Sequence, residues 1–166
     1  VNTNDNLKTA FAGESQANRK YTAYAEKAEK EGLPVVARLF RAIAAAEAIH
    51  AKNHLRALDG VKSTLENLTD AQAGEKYEVT EMYPPMISTA ETEGAKSAAR
   101  SMRFAFEVEK IHYELYGQAI EAVKAGKDFR DLAIRVCPVC GHTIVGDAPD
   151  TCPVCGCKGS LYQDIA

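Results

Sequence analysis

Two glutamate–histidine pairs constrain this chain more than any other feature. Glu47-x-x-His50 and Glu109-x-x-His112 each lie within a long segment of strong helix formers. Residues three apart on a helix share a face, with Cβ atoms about 5–6 Å apart. A carboxylate and an imidazole so placed can grip one cation. The apolar stripe of the first helix reads Val36, Leu39, Ile43, Glu47, His50, His54, Leu58, and that of the second reads Ala98, Met102, Ala105, Glu109, His112, Tyr116, Ala119. Both pairs are therefore expected on core-facing stripes, where an uncompensated carboxylate is costly. A cation is the simple compensation.

With fifteen glutamates and four histidines, one such motif arises by chance in roughly one chain of three. Two of them on apolar stripes is a much rarer accident. A Glu-x-x-His from each of two helices, with a Glu from each of two others, is the di-iron carboxylate recipe of a four-helix bundle. The other segments supply candidates. A first helix, capped by Asn4 or Asp5 and running to about residue 30, carries Glu14 on a stripe with Leu7, Ala10, Ala17, Tyr21 and Ala25. Tyr21 is two turns beyond Glu14, as a core aromatic or as a phenol bonded to a metal carboxylate. Gly32-Leu33-Pro34 separates this helix from the next, which ends near Leu58. Residues 59–68 read as a linker, and Thr69 or Asp70 as the cap of a third helix carrying Glu75, Glu78 and Glu81. A solvated acidic face is the default reading of those three. Pro84 and Pro85 cannot donate to the carbonyls of Thr80 and Glu81, which predicts a kink or bulge beside Glu81. The fourth helix covers about 95–125 and stops at Gly126.

All five cysteines follow residue 136. Cys137-Pro-Val-Cys140-Gly and Cys152-Pro-Val-Cys155-Gly form two knuckles, a strong tetrahedral S₄ signal that leaves zinc and iron open. Such a short segment buries little core, so the metal is expected to hold it folded. Cys157 reads as a surface thiol outside the ligand set, His142 as exposed, and His54 as an outer partner of the metal site or a core histidine. The expected fold is an all-α four-helix bundle over residues 1–130 with a small Cys₄ domain over 131–166. A net charge of −3 gives no electrostatic case for nucleic acid or an anionic membrane. No apolar run approaches a membrane span, no leader pattern precedes the first helix, and clustered cysteines suggest a reducing, cytoplasmic setting.

With those residues in hand, the chain resembles the rubrerythrin family over nearly its whole length. The segments that carry the resemblance are Phe11-Ala-Gly-Glu14-Ser-Gln-Ala17, Glu47-x-x-His50, Glu78-Val-Thr-Glu81-Met-Tyr-Pro84, Glu109-x-x-His112 and the two Cys-Pro-Val-Cys-Gly knuckles. Cys157 is atypical of that family. The resemblance implies a ferritin-like bundle with a rubredoxin-type tail, two irons in the bundle and one iron on Cys137, Cys140, Cys152 and Cys155. It implies a peroxidase of oxidative-stress protection that reduces hydrogen peroxide to water, with electrons passing from an NAD(P)H-dependent reductase or rubredoxin through the Cys₄ iron. By the same resemblance Glu47 and Glu109 bridge the irons. Glu14, Glu78 and His112 are terminal ligands, and Glu81 and His50 compete for one iron. Glu81, His50 and Tyr21 are its candidate catalytic groups. Family members form dimers, some exchanging helices between chains.

Two other functions compete. A ferroxidase or iron-storage protein would need no electron-delivery tail. A zinc-ribbon binding protein with a helical scaffold would leave five core-facing glutamates unexplained.

Overall fold

The computed structural model describes residues 2–166 and resolves into two compact units, one ending at Lys62 and one running from Ser63 to Ala166. The first is a helical hairpin of α1 (Thr3–Lys30) and α2 (Pro34–Ala57). Asn2, not Asn4 or Asp5, caps α1. Its side chain accepts from the Asp5 amide, and Asp5 returns the bond to the Asn2 N–H, because the third helical position rather than the first can reach back. Gly32, at φ +75°, closes α1, and Pro34 opens α2.

The hairpin packs on small side chains. Ala37, Ala44 and Ala51, spaced seven apart, are buried on α2, as are Ala25 and Ala28 on α1, and Asn18 Nδ2 donates to the Ala44 carbonyl at 2.7 Å. This corrects the expectation for α2. The alanine line seats the helix, so Val36, Leu39 and Ile43 are 40%, 59% and 38% exposed, and Glu47 is half-buried while His50 is exposed.

The first helix of the second unit is capped six residues before Thr69 and seven before Asp70. Ser63 and Glu66 form a reciprocal capping box at α3 (Thr64–Tyr77), so the linker is shorter than 59–68. The helix then widens into a π segment, Glu78–Met82, and resumes as α4 (Tyr83–Thr92). Pro84 and Pro85 stand at the start of α4, where missing amide donors cost least. Gly94, at φ +70°, ends α4, and α5 (Lys96–Lys124) follows. Gly117 lets α3 approach α5 closely, since a Cβ there would lie 2.8 Å from Gln72 Nε2. That amide donates to the Tyr113 carbonyl at 3.2 Å.

After α5 the chain forms an antiparallel sheet in the order β2-β1-β3, from β1 (Ile134–Val136), β2 (Thr143–Val145) and β3 (Gln163–Ile165). Arg135 crosses it, pairing with Asp164 at 2.6 Å. A glycine is required at 159, where a Cβ would collide with the Pro149 carbonyl. Among the described residues, no helix is long and apolar enough to cross a membrane.

Candidate metal centres

The four knuckle cysteines converge. Their sulfurs lie within 4.8 Å of one another, with Cys137–Cys155 and Cys140–Cys152 both at 3.6 Å. A tetrahedron of metal–sulfur bonds of about 2.3 Å has edges of about 3.8 Å, so the donor set fits one tetrahedral metal. In each knuckle the glycine after the second cysteine takes positive φ and returns its amide to the first cysteine's carbonyl: Gly141 to Cys137 and Gly156 to Cys152, both at 2.9 Å. Burial works to raise the Cys152 thiol. The Tyr162 hydroxyl and the amides of Cys155 and Val154 outweigh it and hold the thiol at about 6. Burial and shared protons push Cys140 strongly the other way.

Two expectations for this module are corrected. His142 is buried, 6% exposed, because its Nδ1 meets the Tyr162 hydroxyl at 2.7 Å and the rings pack edge to face. Burial, then His112, lowers its pKa. Cys157 is half-buried rather than a surface residue, with its sulfur 3.3 Å from Cys137. Hydrogen bonding to Cys137, then burial, pushes its thiol up to about 12, which keeps it a proton donor.

The carboxylate and imidazole donors fall into two groups, one in each unit. In the hairpin, Glu14 of α1 lies with Glu47 and His50 of α2, donor atoms within 4.8 Å of one another. His50 Nδ1 is 2.7 Å from Glu47 Oε2. In the second unit the group is Glu75 of α3 with Glu109 and His112 of α5. His112 Nδ1 lies 2.7 Å from Glu109 Oε2 and 3.9 Å from Glu75 Oε1. Both Glu-x-x-His pairs thus point each imidazole's Nδ1 at its own glutamate.

Glu75 is the donor that the solvated-face reading passes over. Its Oε2 is shielded from solvent and has no hydrogen-bond partner among the described residues. Burial, then Glu109, then Glu78 push its carboxyl up to about 8. Burial and Glu109 also raise Glu78, half-buried on the π segment. Three acids facing one histidine lack positive charge, and an orphaned buried oxygen lacks a partner. A bound cation would supply both. The missed signal was periodicity: with the helix begun at Thr64, Leu68, Ala71 and Gln72 lead to Glu75 along one face.

Of the remaining candidates, Glu81 is exposed on the π segment. Tyr21 packs against Tyr24 and Phe40, with centroids 6.2 and 6.3 Å away. His54 is half-buried on α2. Tyr83 and Tyr116 respond to the acidic group: burial first, then the nearby glutamates, raise both phenols.

Comparison with known proteins places these features. The rubrerythrin family model matches residues 5–120. Rubrerythrin-2 of Clostridium acetobutylicum is 37% identical over 175 residues, covering 97% of this chain and 95% of its own. Rubrerythrin of Porphyromonas gingivalis is 38% identical over 180 residues, covering 98% and 90%. The fully reduced, all-ferrous structure of nigerythrin aligns with a TM-score of 0.59 at 32% identity, covering 99% of this chain and 87% of that one.

Proposed function

Since this chain belongs to the rubrerythrin family, whose members are di-iron oxidoreductases of oxidative-stress protection, we propose that it is a peroxidase reducing hydrogen peroxide to water. The family carries a di-iron centre and a Cys-ligated iron, and this chain has donor groups for both. One observation carries the reading: a four-sulfur site and two carboxylate–imidazole groups occur in the same chain. Storage chemistry has no use for the first, and a zinc ribbon has none for the second.

We assign Cys137, Cys140, Cys152 and Cys155 to one iron, in a module over residues 131–166. Glu14, Glu47, His50, Glu78, Glu81, Glu109 and His112 are assigned to the di-iron centre of a bundle over residues 1–130, with Glu75 added on its orphaned oxygen. Two irons would supply Lewis-acid polarisation of the peroxide and one electron each to split its O–O bond. The protein's part is charge balance and proton placement. Clustered carboxylates offset the cationic charge. Exchange of Glu81 for neutral His50 on one iron would trim negative charge on reduction. The π segment under Glu81 supports a functional role there, since single π turns within α-helices occur frequently at functional sites. The phenol of Tyr21 would hold a metal carboxylate by a hydrogen bond.

Hydrogen peroxide is the proposed substrate. The family works in redox chains with rubredoxin-like partners. The proposed donor is rubredoxin or an NAD(P)H-dependent reductase, the proposed assembly a homodimer, and the proposed setting the cytoplasm.

Anaerobic iron loading followed by a visible spectrum and NADH-driven peroxide consumption tests the reading. The expected result is a Cys₄–iron charge-transfer band, an oxo-bridged di-iron band and sustained turnover. A colourless protein would point to the zinc ribbon. Iron uptake without sustained turnover would point to storage.

A further inference from the structure

Thr143 bonds in two directions. Its Oγ1 lies 3.0 Å from the Gly141 carbonyl and 2.9 Å from His112 Nε2. A threonine hydroxyl has one proton, and a carbonyl oxygen can only accept. When that proton goes to the Gly141 carbonyl, the hydroxyl oxygen can only accept from the ring. We propose that Thr143 is a positioning residue for His112: it holds the ring's proton on Nε2 and leaves Nδ1 as the atom that faces Glu109 and Glu75 for metal binding. This rests on the assignment of Glu109 and His112 as metal ligands.

The placement is built into the fold of this unit. Pairing of β1 with β2 sets Thr143 opposite Val136, one residue before the first knuckle. Gly141 at φ +84° bonds back to Cys137, and the Cys137 amide donates to the His142 carbonyl at 2.9 Å. Gly141 also rests on α5, where a Cβ would meet Val108 Cγ1 at 3.9 Å. Val108 directly precedes Glu109. The carbonyl, the hydroxyl and the imidazole thus form a short chain of donors and acceptors anchored at both ends. With the ring's one proton held on Nε2, Nδ1 presents its lone pair beside Glu109 and Glu75. A histidine ligand whose second nitrogen is held in this way keeps its tautomer and ring orientation, and losing such a partner costs about 10–100-fold in metal affinity.

Cobalt(II) is the probe, added to the full chain with zinc already filling the cysteines. Thr143 lines a mainly apolar cavity with Leu68, Leu115, Ala119 and Val145, so Thr143→Val should fold. In the unaltered chain a hyperfine-shifted, slowly exchanging proton from His112 Nε2–H is expected. Thr143→Val should lose that signal to solvent exchange and bind cobalt about 10–100-fold more weakly. Thr143→Ser should restore both. A Thr143→Val chain that keeps the signal and the affinity would overturn the inference and leave the metal assignment standing. Coordination through Nε2 in the unaltered chain would also overturn it. Cobalt that never reaches Glu109 and His112 in the unaltered chain would overturn both.

Discussion

In the C-terminal module, each metal donor is placed by backbone only a few residues away. Cys137 and Cys140 share one knuckle, Cys152 and Cys155 the other, and each knuckle is closed by its own glycine amide. Along the helices, donors meet only because distant segments pack in register: Glu75 reaches Glu109 and His112 across 34 residues or more, and Glu14 reaches Glu47 across 33. The first arrangement is local, small and dependent on its metal. The second is held by the packing of long helices, and it carries the unfavourable charge. Metal and fold are therefore coupled in opposite senses. The cysteine module is expected to fold with its metal, while the helices impose on the carboxylates a proximity that only a cation or protons relieve.

The largest expected effect sharpens that contrast. Cys152→Ala should empty the S₄ site and cost the module its fold, with dispersed amide signals from residues 131–166 collapsing in an NMR spectrum while helical circular dichroism persists. Retention of those signals without metal would show a self-sufficient module. Glu109→Ala should behave in reverse. Iron after anaerobic loading should fall from about three per chain to about one, with the helices and the Cys₄ band unchanged. Loss of helix would show that the carboxylate site, too, organises its surroundings.

A smaller effect concerns pH. In the metal-free chain Glu75 keeps its proton up to about 8, whereas the ordinary value is 4.5. Between those values the folded state binds one more proton than the unfolded state, so stability falls as pH rises across that window. Thermal melts of metal-free protein should show this decline, and Glu75→Gln should flatten it. An unchanged slope in that variant would place the strain elsewhere. The smallest effect is a control on a part that neither metal touches. Ser63→Ala removes the capping box of α3 and should cost about 1 kcal/mol in denaturant unfolding, with metal content unchanged.

The same division governs what could be read from the residues alone. The knuckles were legible because spacing and glycines fix their geometry locally. So were the hairpin turn at Gly32 and Pro34 and the disruption ahead of Pro84 and Pro85, which takes the form of the π segment. What escaped depended on packing. An Ala37-Ala44-Ala51 line seats α2, although Val36, Leu39 and Ile43 are the larger apolar side chains, because small residues let helices approach most closely. Glu75 reads as solvated when α3 is begun at Thr69 or Asp70, because that start leaves out Leu68, the apolar residue whose face leads through Ala71 and Gln72 to it. His142 looked exposed because its partner, Tyr162, is 20 residues further on.

In the function proposed for this chain, we infer that the cysteine site passes the donor's electrons to the carboxylate site. The most direct measurement compares two preparations of the whole chain, both with iron on the carboxylates, one with iron and one with zinc on the cysteines. Peroxide should oxidise the chemically reduced bundle equally fast in a single turnover of either. Only the all-iron protein should sustain NADH-driven peroxide consumption with a supplied reductase. Equal sustained rates in the two preparations would contradict the account.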